Sequence, residues 1–320
     1  MTDKTPPSLN LIERMAQRLA KQESAAKSEP RLVPSPPAAP PPASDMRHAA
    51  APLNNVAPER RVPSEGKSRQ VHLDFRVLRQ NGMITPDNMA SMISNEFRGI
   101  KRKLLQKIRD PDTRAAVNNL VMVTSSLPGE GKTFTSINLA ISLAAERGLQ
   151  VLLVDADVVR PAVANMFKST PKEGLTDLLS GKAPRVSDVM CRCADIPNLA
   201  VIFAGSSRVD SPELISSGRM VDLCRELSNR YPDRVIVLDT PPVLASPEPA
   251  TLAAYVHQLI MVVAADQTDR HQLRKALEAI ASCANINLLF NKAPKWNEPE
   301  YTSYYGYANT AAGDPSTRSA

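Results

Sequence analysis

Long hydrophobic runs are missing from this chain, and few of its residues are cysteine or aromatic. No stretch reaches the roughly 18 apolar residues that a membrane-spanning helix needs, and the start, MTDKTPPSLN, lacks the apolar core of a secretion signal. Four cysteines in 320 residues are too few for a disulfide scaffold, so we expect free thiols in a reducing cytosol. The sequence therefore predicts a cytoplasmic protein without a membrane span.

The chain also has only a small excess of positive over negative charge. Lysine and arginine total 39 against 33 aspartates and glutamates, a formal net charge of +6. A modest excess spread along the chain is weak support for nucleic-acid binding, and the basic stretch KRKLLQK is more simply a solvated helix face. We therefore expect no nucleic-acid partner.

Proline, by contrast, is abundant and concentrated at the start of the chain. Twelve of the 28 prolines lie in residues 1–70. Such a segment buries too little apolar area to offset the entropy of ordering, so we predict a disordered Pro-rich N-terminal region. Apolar side chains at 3-4-3 spacing predict a short amphipathic helix near residues 8–22, either a docking helix for a partner or a nascent helix in a disordered tail.

After this region, short apolar runs alternate with longer amphipathic stretches. The runs are continuous and rich in Val, Ile and Leu, as in strands buried on both faces, so we predict an α/β fold with a mostly parallel twisted sheet flanked by helices. The apolar pattern of residues 85–110 predicts an amphipathic helix before the first strand, with Thr85 or Asp87 as its cap and Asp110-Pro111 at its end. The predicted strands are Leu120–Thr124, Val151–Asp155, Leu199–Phe203, Val235–Asp239, Leu259–Val263 and Ile286–Phe290.

A phosphate loop follows the first of these strands. LVMVT leads into SSLPGEGKT and then into an apolar helical stretch, which is the strand–loop–helix context of a Walker A motif, although Ser126 replaces its leading glycine. Backbone N–H groups and the positive end of the helix bind phosphate in such loops. We expect Lys132 to bind the β- and γ-phosphates and Thr133 to bind Mg²⁺. The residues assigned to nucleotide binding are Pro128, Gly129, Glu130, Gly131, Lys132, Thr133 and Phe134.

Two further strands end in carboxylates. VLLVDADVVRP places Asp155 at a strand end and Asp157 two residues later, and VIVLDTPP places Asp239 at another strand end. Parallel α/β sheets bind ligands at the carboxyl ends of their strands, and hard carboxylates suit Mg²⁺. The sequence therefore predicts binding of ATP with Mg²⁺, with Thr133, Asp155 and Asp239 as candidate metal ligands. The spacing leaves open which aspartate touches the metal.

A tyrosine cluster lies near the end of the chain. Four of the six tyrosines fall in the seven-residue stretch YTSYYGY, among prolines and glycines. We predict a nucleotide-binding domain over residues 71–296 and a flexible Tyr-rich tail over residues 297–320. The tail is either a sticky surface segment, a patch packed on the sheet, or a set of phosphate acceptors, since phosphorylation adds about −1.5 to −2 charges per tyrosine. The candidate acceptors are Tyr301, Tyr304, Tyr305 and Tyr307.

The order of these motifs resembles the bacterial tyrosine autokinases (BY-kinases) of exopolysaccharide and capsule synthesis, most closely the cytosolic forms associated with exosortase (XrtA) systems. SSLPGEGKT is similar to that family's Walker A motif, VLLVDADVVRP to Walker A′ and VIVLDTPP to Walker B, and the resemblance covers about residues 71–307. It implies a P-loop NTPase of the deviant Walker, MinD/ParA-like architecture. It also implies a protein-tyrosine kinase that transfers the ATP γ-phosphate to tail tyrosines of a neighbouring subunit.

The resemblance implies partners as well. A membrane polysaccharide co-polymerase, or chain-length determinant, recruits such kinases to the cytosolic face of the inner membrane and activates them. Subunits form a homo-oligomeric ring that comes apart as the tails are phosphorylated, and a cognate tyrosine phosphatase is possible. The implied function is regulation of exopolysaccharide polymerisation and export.

Two motifs depart from the family pattern. Val159 occupies the position of an arginine in the A′ motif. The ring-contact pattern E-x-x-R-x-x-R aligns with Asn95, Arg98 and Lys101. Glu96 is displaced by one residue, which rotates a helical side chain by about 100°.

The mechanism favoured by these residues is phosphoryl transfer by positioning and charge neutralisation. By resemblance, Asp155 or Asp157 accepts the proton of the tyrosine, whose pKa near 10 makes such help necessary. Arg160 either steadies phosphate charge or forms a surface salt bridge. Asn291 either hydrogen-bonds adenine or is a turn residue. The residues assigned to catalysis are Lys132, Asp155, Asp157, Asp239 and Arg160.

Two other functions stay open. A MinD/ParA-like nucleotide-switch ATPase shares the strand order, but its signature lysine, five residues before the loop lysine, is Leu127 here. A non-catalytic regulatory subunit of a polysaccharide export complex would bind ATP without phosphorylating tyrosine, and Val159 is the residue that favours it.

Overall fold

Eight strands form one sheet in the computed structural model, which describes residues 69–109, 119–207 and 209–293. Continuous apolar runs form the central strands, as their burial on both faces requires. The strands are β1 (Arg69–Val71), β2 (Leu120–Ser125), β3 (Gln150–Asp155), β4 (Cys191–Cys193), β5 (Leu199–Ile202), β6 (Arg234–Asp239), β7 (Gln258–Ala264) and β8 (Ile286–Asn291).

The sheet order is β1-β4-β5-β3-β6-β2-β7-β8, and every neighbouring pair is parallel except β4 with β5. The predicted mostly parallel sheet is confirmed, and each predicted strand ends within one residue of its observed bounds. The sequence reasoning missed β1 and β4. Both have three residues, of which two are exposed in β1 and one in β4, so neither forms an apolar run.

Helices cover both faces of this sheet. The helices of the described ranges are α1 (Phe75–Gln80), α2 (Met92–Ile108), α3 (Lys132–Ala144), α4 (Leu175–Leu179), α5 (Val186–Val189), α6 (Ser211–Ile215), α7 (Gly218–Arg230), α8 (Glu248–Leu252) and α9 (Arg270–Ala279). Short 3₁₀ turns lie at Pro86–Asn88, Val163–Met166 and Ala253–Tyr255.

The core has two layers, one on each face of the sheet. Side chains of a strand alternate between faces, so Leu120 and Met122 of β2 pack with α4, α7 and α9, whereas Val121 and Val123 pack with α2 and α3. The rigid sheet brings the carboxyl ends of β2, β3 and β6 to one edge. The loops that leave this edge carry the motifs predicted to bind nucleotide.

The helix before β2 begins later than predicted. α2 begins at Met92, where the Ser91 hydroxyl accepts a hydrogen bond from a first-turn backbone nitrogen. The prediction of Thr85 or Asp87 as its cap is wrong, because both residues belong to a separate 3₁₀ turn. The side chain of Asn88 closes that turn by accepting a hydrogen bond from the Thr85 nitrogen at 2.8 Å, a local bond that competes with helix formation.

A buried carboxylate on α4 fastens the loop after β5. Asp177 accepts hydrogen bonds from the backbone nitrogens of Gly174 at 2.9 Å and Ser206 at 3.1 Å. The Ser206 hydroxyl and the Lys182 ammonium also donate to it, at 2.9 and 3.2 Å. Gly205 leaves room for this arrangement, since a Cβ there would lie 2.7 Å from the carboxylate. Burial alone would raise the pKa of Asp177, but these donors hold it below its ordinary value.

Replacing Asp177 by alanine is expected to lower the free energy of unfolding by about 2–4 kcal/mol, because buried donors lose their acceptor.

The pKa of Asp177 is lowered by folding, so its stabilising contribution is complete above about pH 3.9 and is lost as the pH falls through the folded-state pKa. Urea unfolding at several pH values should therefore show a flatter acid dependence for Asp177→Asn. Asp222, whose side chain is 78% exposed, supplies the control Asp222→Asn. Equal effects of the two substitutions would contradict this account.

Within the described ranges, no helix has the length and apolar character to cross a membrane. All four cysteines are free and buried, and burial raises the pKa of Cys224 to about 12. The predicted helix near residues 8–22, the Pro-rich region and the Tyr-rich tail lie outside the described residues. Their boundaries at residues 70 and 296 stay predictions.

Candidate nucleotide-binding and phosphoryl-transfer site

Two glycines shape the loop between β2 and α3. Gly129 and Gly131 have φ values of 86° and 101°, a region that favours glycine. A Cβ at Gly131 would lie 2.0 Å from the amide nitrogen of Asn291. α3 begins at Lys132, so the positive end of its dipole faces the loop. This geometry is the anion-binding arrangement predicted from the Walker A motif.

Contacts from other strands also fix the loop. The buried Glu130 carboxylate accepts a hydrogen bond from the Leu127 nitrogen at 2.8 Å and another from the Thr268 hydroxyl beyond β7. Asn291, at the end of β8, donates from its amide nitrogen to the Glu130 carbonyl at 2.9 Å. Asn291 therefore lies beside the loop, and its predicted bond to adenine stays a prediction. The sequence reasoning missed Thr268, for which no motif gives a signal.

Three carboxylates and one ammonium group meet beneath the loop. Asp155 and Asp239 are register partners on the adjacent strands β3 and β6. Lys132 Nζ lies 2.6 Å from Asp157 Oδ2, and the two side chains are only 12% and 3% exposed. The predicted catalytic residues Lys132, Asp155, Asp157 and Asp239 are thus brought together. When all are ionised, one positive charge faces three negative charges.

The pKa values reflect this excess of negative charge. Burial raises the pKa of Asp155 well above its ordinary value, and the charges of Asp239 and Asp157 raise it further. Burial also raises the pKa of Asp239, although Lys132 and the Thr133 hydroxyl oppose the rise. Burial by itself would lower the pKa of Lys132, but the carboxylates raise it. A divalent cation would relieve this charge imbalance.

Two hydroxyl groups of α3 donate hydrogen bonds to the Asp239 carboxylate. Thr133 donates to its Oδ2 at 2.7 Å and Ser136 to its Oδ1 at 2.9 Å. Because Thr133 donates its proton to Asp239 and accepts only a long hydrogen bond from Lys132 at 3.4 Å, its oxygen still offers a lone pair to a cation. This arrangement favours an indirect role for Asp239 through Thr133. Ser136 was missed, although it lies three residues after Thr133 on the same face of the helix.

The residues present fit a magnesium ion that accompanies a nucleotide. Asp155 Oδ2 accepts a hydrogen bond from the Val163 nitrogen at 3.2 Å, whereas no described residue donates to its buried Oδ1. No three His, Cys, Asp or Glu side chains of the described residues form a metal cage by themselves. Mg²⁺ does not require one, since it commonly binds one or two carboxylates together with phosphate oxygens and water. Asp155 and Thr133 are the groups suited to that coordination.

The remaining predicted residues lie around this cluster. The backbone nitrogen of Arg160 donates to Asp157 at 3.0 Å, while its guanidinium is exposed at the rim with Val159. The Phe134 ring packs edge-to-face on Phe97, with ring centroids 6.4 Å apart, so we expect its backbone rather than its ring to contact nucleotide. Pro128 is exposed on the loop. The tail tyrosines 301, 304, 305 and 307 lie outside the described residues.

The helix aligned with the family's ring-contact motif makes contacts within the subunit. Arg98 donates to the Asn95 side chain at 3.0 Å and to the Met89 carbonyl at 2.8 Å. Lys101 pairs with Glu146, near the end of α3, at 2.8 Å. Two of the three aligned side chains are therefore joined by a hydrogen bond of their own. Ring assembly stays a prediction.

Comparisons with known proteins agree with this geometry. Residues 121–293 match the family described as the CobQ/CobB/MinD/ParA nucleotide binding domain. The tyrosine-protein kinase YwqD of Bacillus subtilis (strain 168) is 31% identical over 229 residues, covering 71% of this chain and 92% of that protein. The tyrosine-protein kinase CpsD of Streptococcus agalactiae is 30% identical, covering 62% of this chain and 83% of that protein. The crystal structure of the chimerical protein CapA2B2 is similar with a TM-score of 0.57 and 26% identity, over 69% of this chain and 99% of that one.

Proposed function

Because this chain belongs to the bacterial tyrosine-protein kinases built on the CobQ/CobB/MinD/ParA nucleotide-binding domain, we propose that it transfers the γ-phosphate of ATP to its own C-terminal tyrosines. The observation that carries the proposal is the buried cluster of Lys132 with three aspartates at the phosphate loop. The acceptors are the four tyrosines of residues 301–307.

The chain's own residues have distinct roles in this reaction. ATP with Mg²⁺ supplies the phosphoryl group and the missing positive charge. Lys132 turns from Asp157 to the phosphate oxygens, and the loop N–H groups bind the same phosphates. Thr133 and Asp155 would hold the Mg²⁺ that accompanies the nucleotide. Phe134 braces α3 against α2 through its contact with Phe97.

Asp157 is the better placed of the two candidate proton acceptors. Its Oδ2 is occupied by Lys132 at 2.6 Å and becomes available once that lysine binds phosphate. The Arg160 nitrogen holds the other oxygen at 3.0 Å, which fixes the orientation of the carboxylate. As the phenolic oxygen bonds to the γ-phosphorus, its proton passes to Asp157 and ADP leaves with the bridging oxygen. Asp155 is less suitable because it is the carboxylate proposed to hold Mg²⁺, and an oxygen that binds the cation is not free to accept a proton.

The proposal includes transfer between subunits, which the family resemblance supports. Nine residues lie between Asn291 and Tyr301, the first tail tyrosine, and the ten residue-to-residue steps of an extended chain span about 33–36 Å. Length therefore permits transfer within one subunit as well, and an experiment must separate the two. The matched pair is Lys132→Ala with an intact tail, and a catalytically intact chain whose four tail tyrosines are phenylalanine.

Mixing these two variants with ATP and Mg²⁺ is expected to place phosphate on the tail of Lys132→Ala. Peptide mass spectrometry should find phosphotyrosine in the mixture and none when either variant is incubated alone. An unlabelled mixture, with a wild-type chain that labels itself, would contradict transfer between subunits. A wild-type chain that binds ATP but never acquires phosphotyrosine would contradict the kinase assignment itself.

We also propose the biological setting that the resemblance implies. This setting comprises regulation of exopolysaccharide synthesis, a homo-oligomeric ring, recruitment to the inner membrane by a polysaccharide co-polymerase, and reversal by a tyrosine phosphatase. The association with an exosortase system belongs to the same proposal. Adding the cytosolic segment of the co-polymerase should raise the rate of tail labelling, and an unchanged rate would contradict its role as activator.

A further inference from the structure

A cavity lies at the amino ends of the sheet strands, opposite the carboxyl ends that form the nucleotide site. Its volume is about 210 Å³, and it is lined at the amino ends of β3, β5 and β6 by residues that include Gln150, Leu199 and Arg234. β6 runs six residues from Arg234 to Asp239, a span of roughly 17 Å at 3.3 Å per residue. The cavity is therefore separate from the phosphate loop.

Two arginines give this cavity positive charge. Arg192 projects from β4 and is exposed, and Arg234 begins β6 and is partly buried. No carboxylate of the described residues lies within ion-pair distance of either guanidinium. Burial lowers the pKa of Arg234 and Arg192 lowers it further, although the charges of Tyr231 and Asp233 oppose this. The Arg234 guanidinium nevertheless stays charged at neutral pH.

Arg234 is held in place yet lacks a partner for one donor. Its guanidinium lies 4.5 Å from the centroid of the Tyr231 ring, and its Nη1 lies 3.3 Å from Met190 Sδ. Its Nε is buried and makes no hydrogen bond within the described structure. A buried unpaired donor next to a cavity is a sign of a group that binds there, and guanidinium groups favour phosphate oxygens in a two-pronged contact.

Apart from the two arginines and Gln150, the cavity wall is apolar. Met190, Pro197, Leu199 and Ala200 line it. A cavity of about 150 Å³ is sufficient for benzene, so about 210 Å³ accommodates an aromatic ring with a phosphate at the mouth. The volume is below the roughly 300 Å³ at which drug-sized pockets begin. The volume of the cavity, its two arginines and its apolar lining therefore all favour a small aromatic ligand that carries a negative charge.

We propose that Arg192 and Arg234, with the apolar wall around Met190 and Leu199, bind an arylphosphate monoester, and that the ligand in this enzyme is a phosphotyrosine side chain of the tail. The choice of phosphotyrosine rests on the proposed function, whereas the arylphosphate site itself does not. A phosphorylated tail would then be held at the amino ends of the strands, away from the nucleotide site at their carboxyl ends. Unphosphorylated tyrosine lacks the anion that the two arginines require.

The test is a titration of the full chain, saturated with ADP and Mg²⁺ so that the phosphate loop is occupied. Phenyl phosphate, inorganic phosphate and phenol are compared by isothermal titration calorimetry. A synthetic peptide of residues 299–309 is added in phosphorylated and unphosphorylated forms. Phenyl phosphate and the phosphopeptide are expected to bind, with phenyl phosphate at least about tenfold tighter than inorganic phosphate or phenol.

Arginine variants assign the binding to this cavity. Arg192→Gln changes an exposed position. Arg234→Lys keeps the positive charge but loses the paired N–H donors of the guanidinium. Each substitution should weaken the binding of phenyl phosphate at least about tenfold. Arg270→Gln, at an exposed position of α9, removes the same charge elsewhere and should leave affinity unchanged. If Arg234→Lys does not fold, Arg192→Gln decides alone.

Absent binding, equal binding of inorganic phosphate or phenol, or unchanged affinity in Arg192→Gln would overturn the arylphosphate site. Binding of phenyl phosphate but not of the phosphopeptide would overturn its assignment to the tail. Because every ligand is added ready-made, none of these outcomes depends on whether the chain phosphorylates tyrosine.

Discussion

Lys132→Ala is expected to lower the rate of tyrosine phosphorylation by roughly 100-fold or more, the loss seen when one charge-stabilising group is removed from a transition state. Lys132 is the single ammonium group among three buried carboxylates, so no described neighbour replaces its charge at the phosphates. The rate is measured as phosphotyrosine formed with ATP and Mg²⁺.

Lys275→Ala is the matched control, because Lys275 is exposed on α9 and lies outside the cluster. Circular dichroism establishes that both variants are folded. Removing Lys132 leaves the Asp157 carboxylate without its ion-pair partner, so some loss of stability without nucleotide is expected in that variant alone. A folded Lys132→Ala that keeps its labelling rate would show that the cluster is not the catalytic site.

Gly131→Ala is expected to weaken nucleotide binding by roughly tenfold or more beyond the effect of Gly129→Ala. Both glycines have positive φ, so alanine is strained by roughly 1–2 kcal/mol at either position. They differ in their surroundings. A Cβ at Gly129 meets no atom within 4 Å, whereas at Gly131 it would lie 2.0 Å from Asn291 Nδ2 and displace the bond to the Glu130 carbonyl.

Removing the obstructing side chain separates clash from strain. In Gly131→Ala combined with Asn291→Ala, the clash is absent, so adding Gly131→Ala to Asn291→Ala should cost no more affinity than Gly129→Ala costs in the wild-type chain. Fluorescence titration with a labelled ATP analogue compares the wild-type chain, the three single variants and the double variant. Equal affinities of Gly129→Ala and Gly131→Ala would contradict the observed packing of β8 against the loop.

The parts of this site that a sequence can predict are those with a local pattern. GEGKT between a strand and a helix predicted the loop, and carboxylates at strand ends predicted that Asp155 and Asp239 meet. The parallel sheet followed from continuous apolar runs. Each of these inferences depends on neighbours in the chain and on the common edge of a parallel sheet.

Contacts between distant segments had no such pattern. Thr268 donates a hydrogen bond to Glu130, which lies 138 residues earlier in the chain. The Asn138 side chain accepts a hydrogen bond from the Ile84 nitrogen at 2.7 Å, and these two residues are 54 positions apart. The cap of α2 was misplaced because Asn88 makes a local side-chain bond that periodicity does not reveal. The aryl-sized cavity was equally out of reach, since it depends on how β4 pairs antiparallel to β5.

The measurement that tests the central claim most directly is peptide mapping by mass spectrometry after incubation with ATP and Mg²⁺, with Lys132→Ala in parallel and with the co-polymerase segment added to half of the samples. The account predicts multiple phosphates on Tyr301, Tyr304, Tyr305 and Tyr307 of the wild-type chain and none on Lys132→Ala. ATP that is bound or hydrolysed while every tail tyrosine stays unmodified in both conditions would contradict it, and would favour a nucleotide-switch ATPase or a regulatory subunit.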